Sequence, residues 1–258
     1  MFEGLPDWDA IFTPEVFYKL TYHALVFLGS TYLYLALKGE IRAKADPNAF
    51  YNADWSMFMV QAWITENSVF VVAYALSVIY GRSEFGRFSS LLLFTDIVMS
   101  FAFIPIQTVR NHRCVETSDV ILRLLRNTMA AVSLATYQAF YVEDKVLSFL
   151  DIVHVTVGVL FFFYGMKKRL ANYELIQHFP FNNDPRIMGA PDFEFVTSPD
   201  HFGELLQWVA FHVICGNTTS LGFAIYKVTT AVGDAYLRHT YADVKRLRGL
   251  TDHLFDNC

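Results

Sequence analysis

The feature that most constrains this chain is a succession of apolar windows, each near the length a helix needs to cross a bilayer. A hydrocarbon core about 30 Å thick takes about 20 helical residues, and windows of that order occupy 16–37, 56–80, 88–109, 124–142 and 146–166. A further window, 202–233, is too long for one span and is interrupted by Gly216-Asn217, which predicts a break between two short helices. The expected count is therefore seven. Composition agrees, because 54% of the 258 residues are hydrophobic and 17% are charged, against about 25% charge in soluble domains. A disordered chain and a basic nucleic-acid binder are excluded. Cys114, Cys215 and Cys258 are odd in number and lack metal-ligand spacing, so they read as packing residues, with no metal site expected.

Lys and Arg collect on the cytoplasmic or matrix side of membrane proteins, so their placement tests the seven-span pattern. Fifteen of the twenty fall on one side: Lys38, Arg42 and Lys44; Arg110, Arg113, Arg123 and Arg126; Lys167, Lys168, Arg169 and Arg186; and Arg238, Lys245, Arg246 and Arg248. Six spans would scatter that partition. The expected architecture is an all-α integral membrane protein, a seven-transmembrane-helix bundle with its N-terminus outside and its C-terminus in the cytosol or matrix. It forms a single membrane domain over residues 1–258. Residues 1–15 read as an interfacial segment, 16–233 as the spans, and 234–258 as an amphipathic C-terminal helix with Leu237, Tyr241, Val244 and Leu247 on one stripe. Between them, the polar stretch 170–201, with Pro180, Pro185, Pro191 and Pro199, predicts a structured loop. The acidic start lacks the basic region of a secretory signal and the arginines of a mitochondrial presequence, which leaves the compartment open.

Ionisable side chains inside a membrane are costly and mark function or an interhelical pair. Here they are Glu66, Asp96, Asp151, His154, Glu204 and His212. Asp151 and His154 are spaced i, i+3, which lets a carboxylate orient an imidazole, although a structural hydrogen bond is the plainer reading. Haem ligation by His154 and His212, and a proton relay through Asp96, Asp151, His154 and His212, are the remote alternatives. Trp63, Trp208 and the run Phe161 to Tyr164 read as lipid-facing or packing aromatics.

The segment Phe193-Glu194-Phe195-Val196-Thr197-Ser198-Pro199-Asp200-His201-Phe202-Gly203-Glu204-Leu205-Leu206-Gln207-Trp208 resembles the signature at the sixth span of the steroid 5-alpha-reductase family, which includes polyprenol and enoyl-CoA reductases. Glu66-Asn67-Ser68-Val69-Phe70 is similar to the family's second-span glutamate motif. The resemblance implies a seven-span fold and NADPH-dependent reduction of a lipid alkene, with Glu66 as the catalytic, substrate-polarising acid and Asp200, Glu204 and Tyr241 at the cofactor. The departures are several. Asp200 stands where the family has an asparagine. Thr95-Asp96-Ile97-Val98-Met99-Ser100-Phe101 replaces a third-span motif with a tyrosine and an arginine, and Lys167-Lys168-Arg169-Leu170-Ala171-Asn172-Tyr173 does not reproduce the cofactor segment after span five. In the tail only Arg238-His239-Thr240-Tyr241 is reminiscent of the family's pattern.

Hydride transfer needs a held cofactor and a polarising donor. Several groups for each are missing together. The expectation is a non-catalytic accessory subunit of a multi-subunit membrane assembly, such as a mitochondrial respiratory-chain or ATP synthase complex, with a structural and lipid-binding role and no cofactor. Its partners are then membrane lipids and other transmembrane subunits, with the mitochondrial inner membrane favoured over the endoplasmic reticulum. The alternative is an NADPH-dependent reductase of a steroid, enone or polyprenoid lipid.

Overall fold

A computed structural model of the protein describes residues 13–38, 56–108, 114–144, 148–178 and 199–255. The interfacial segment expected over the first residues, the first half of the signature and most of the polar stretch lie outside them. Among the described residues the chain forms seven helices: α1 (Pro14–Leu37), α2 (Met59–Tyr80), α3 (Glu84–Thr108), α4 (Thr117–Phe140), α5 (Phe149–His178), α6 (Pro199–Cys215) and α7 (Thr218–Phe255). Two three-residue strands, β1 (Ser56–Phe58) and β2 (Cys114–Glu116), pair antiparallel with Met57 opposite Val115. This ladder departs from a purely helical expectation and ties the start of α2 to the start of α4.

Local chemistry sets the helix ends. Thr13 caps α1 by accepting from the Val16 amide, and Pro14 follows at the first helical position, where a missing N–H costs nothing. At the expected break, Gly216 takes φ 61° and donates its amide to His212 O at 2.8 Å, closing α6 in the left-handed conformation that glycine adopts freely. Asn217 then starts α7 by accepting the Ser220 amide on Oδ1 at 2.8 Å.

The helices pack as α1 on α7, α2 on α3 and α4, and α5 on α6, with α6 joining α7. Phe162, Phe211, Phe223, Leu93 and Leu134 fill the centre. Polar groups clamp the bundle where α2, α3 and α4 meet: Ser77 Oγ lies 2.6 Å from Ser90 Oγ and donates to Ala135 O, while Ser89 Oγ donates to Gln138 Oε1 at 2.8 Å. Gln138 also reaches buried Cys215, at 3.6 Å from Sγ, so this cysteine is a packing residue as expected.

Three segments, Pro14–Leu37, Glu84–Ala102 and Phe149–Ala171, are long and apolar enough to cross a membrane, and Asn67–Tyr80 is a shorter apolar helix. Their outward faces expose large apolar groups such as Phe27, Leu150 and Leu160. Lipid is the solvent that suits such a surface. The protein is an integral membrane protein.

Three expectations change. The helix α5 continues to His178, so Lys167, Lys168 and Arg169 and the start of the polar stretch are helical rather than loop. Long basic side chains keep their heads polar while their stems cover apolar surface, which lets a helix outrun its apolar window. Arg123 likewise belongs to α4, which starts seven residues before the apolar window at 124–142. Finally, α7 runs unbroken for 38 residues, so the last apolar window and the amphipathic tail are one helix. Asp234 at their junction accepts from the Tyr32 hydroxyl and so holds α7 to α1.

Candidate functional site

Five helices surround a cavity of about 210 Å³. Helix α2 contributes Asn67, Phe70 and Tyr74, spaced to share one face. Asp96, Ile97 and Ser100 come from α3, Arg169 and Leu170 from α5, Asp200, His201, Glu204 and Trp208 from α6, and Phe223 and Lys227 from α7.

Close backbone contact positions these groups. A Cβ at Gly165 would lie 2.6 Å from Gly203 O, and one at Gly203 would lie 2.6 Å from the Arg169 amide. Both sites therefore require glycine, and the contact brings α5 and α6 together beside Arg169 and Glu204.

The charges are organised in pairs. Arg169 Nη2 donates to Asp96 Oδ1 at 2.6 Å and to Ser100 Oγ at 2.7 Å, with the two charged side chains only 15% and 7% exposed. Lys227 Nζ lies 3.8 Å from Glu204 Oε1 and sits over the Trp208 and Phe223 rings at 5.5 and 5.8 Å. His201 faces two carboxylates, with Nδ1 3.8 Å from Glu204 Oε2 and Nε2 3.8 Å from Asp200 Oδ2. Both cations lining the cavity among the described residues thus have a carboxylate nearby. Other lining donors remain, among them Tyr74 Oη, Trp208 Nε1 and Arg169 Nε, which are buried without a hydrogen-bond partner among the described residues.

Of the residues expected from the sequence, Asp200 and Glu204 meet in this cavity, and Asp96 joins them. Glu66 lies on α2 and Tyr241 on α7, but both side chains are outside the described ones. Asp151 serves another purpose. It accepts from the Ser148 amide at 2.9 Å, and its own amide donates back to Ser148 Oγ at 3.3 Å, a reciprocal cap on α5. His154 is exposed, and His212 Nδ1 lies 3.1 Å from Ser220 Oγ. Trp208, read from sequence as packing, is a cavity wall, whereas Phe162 is wholly buried in the core and its neighbours Phe161 and Phe163 face outward. Tyr74, Arg169 and Lys227 escaped the sequence reading. For Lys227 the signal was its charge within an apolar window.

Fold and site together define an integral-membrane helical bundle enclosing a polar cavity with aromatic walls. A family model described as 3-oxo-5-alpha-steroid 4-dehydrogenase matches residues 115–246, a little over half of the sequence, and the chain belongs to this family. No curated protein matches it.

Proposed function

We propose that this protein is a non-catalytic member of its family, retained as a seven-span accessory subunit of a larger membrane assembly, with its cavity holding the polar end of a lipid. One observation carries the reading. The α3 segment that replaces the family's tyrosine and arginine motif supplies Asp96 and Ser100, and both grip Arg169. An ionised carboxylate accepts hydrogen bonds and cannot polarise a substrate carbonyl by donation. The same pairing, with that of Lys227 and Glu204, sets a carboxylate against each described lining cation, and those negative charges oppose the approach of a dinucleotide phosphate. The mitochondrial inner membrane, with a respiratory-chain or ATP synthase complex as host, is the setting we favour for such a subunit, with the N-terminus outside and the C-terminus in the matrix.

Purification in mild detergent tests this reading. The protein should co-migrate with partner subunits at fixed stoichiometry on a native gel, and migration as a lone species would count against it.

A second reading, reduction of a steroid, enone or polyprenoid lipid by NADPH, is favoured by Tyr74. Its unpartnered hydroxyl places a donor in the cavity from α2. With Glu66 as acid and Asp200, Glu204 and Tyr241 toward the cofactor, it would replace the donor missing from α3. Turnover of an enone lipid that is lost in Tyr74→Phe would move the assignment to this reading.

A further inference from the structure

Arg126 is a basic side chain that stands outside the cavity's pairing scheme. It lies nine residues into α4, about 14 Å along the helix axis at 1.5 Å per residue. The side chain is half-buried, and its Nε is enclosed without a hydrogen-bond partner. Its guanidinium lies over the Tyr226 ring of α7, 5.4 Å from the centroid, and no carboxylate pairs with it among the described residues. Arg169 and Lys227 differ in this respect, since each has an acid. Lys227, already paired with Glu204, is also close enough for Arg126 to act on it electrostatically. On the same helix Ile121 and Leu125 are 52% and 63% exposed, an apolar surface next to the arginine that suits lipid.

In the seven-span reading, on which this inference rests, α4 crosses the membrane, and an arginine there calls for a counter-charge. Its planar fork suits two phosphate oxygens, and basic grooves between membrane helices take acidic lipid headgroups. We propose that the face of α4 beside α7 binds the phosphodiester of an anionic phospholipid, with Arg126 as its ligand and Tyr226 fixing the plane of the guanidinium. This site is separate from the cavity and does not depend on whether the cavity performs chemistry.

The test reconstitutes the full chain in nanodiscs of phosphatidylcholine with increasing dioleoylphosphatidylglycerol, followed by native mass spectrometry of the released protein. Wild type should retain phosphatidylglycerol over phosphatidylcholine, Arg126→Gln should reduce that retention about tenfold, and Arg126→Lys, which keeps the charge without the fork, should fall between them. Should Arg126→Gln fail to fold, the wild-type preference and Arg126→Lys still decide. Equal retention of the two lipids, or retention unchanged by substitution, overturns the proposal. So does displacement of the lipid by millimolar inorganic phosphate or NADPH, which would make this a site for a soluble phosphate. A lone species on a native gel would refute the subunit reading and leave this result untouched.

Discussion

Replacing Asp96 with alanine removes one partner of the ion pair that closes the cavity and leaves the Arg169 guanidinium buried. At 2.6 Å and an effective dielectric near 20, attraction between the two charges is about 6 kcal/mol. The cost of taking both groups out of water offsets much of this, so the intact pair contributes little net stability. Breaking it differs, because the remaining buried charge loses its counter-charge and keeps at most the Ser100 hydroxyl, and one-sided removal typically costs about 3–5 kcal/mol. Asp96→Ala should therefore lower stability by about that amount, and Arg169→Met by a similar amount. The double variant Asp96→Leu/Arg169→Met should recover most of the loss, since two apolar groups of similar volume need no partner. Reversible unfolding in mixed micelles, read as a double-mutant cycle with Asp96→Leu and Arg169→Met as its single variants, measures the coupling. Losses that simply add, or a single variant as stable as wild type, would refute the argument that these side chains form a closed pair.

Other perturbations probe the frame. Gly203→Leu inserts a side chain where even a Cβ would meet the Arg169 amide at 2.6 Å, so α5 and α6 must separate and the midpoint of thermal aggregation in detergent should fall by many degrees. Gly216→Ala forces a Cβ onto a backbone at φ 61° and should cost about 1 kcal/mol while leaving both flanking helices intact by circular dichroism. In a Cys114→Ser/Cys258→Ser background, buried Cys215 should resist maleimide in the folded protein and react on denaturation; labelling at equal rates would place the thiol at the surface.

Much of the fold is written locally and much of the site is not. Apolar windows mark where helices exist, and the Gly216-Asn217 break is legible because both residues act on their own backbone. Helix ends are less so, since α5 carries Lys167 to Arg169 onward as a helix beyond its apolar stretch. Asp200, Glu204 and Trp208 fall within one signature, and Glu204 also announces itself as a charge in an apolar window. Tyr74 sits in an apolar run where a tyrosine resembles any other core aromatic. Arg169 finds Asp96 from 73 residues away, and Lys227 finds Glu204 across a helical turn-around. Such pairings come from helix packing, and no periodicity within either segment encodes them.

The central claim is that the family's nucleotide site has lost its hold while the bundle persists. Isothermal titration of NADPH into the purified protein in mild detergent tests it most directly. No saturable heat is expected up to millimolar cofactor, whereas micromolar binding with one site per chain would contradict the account.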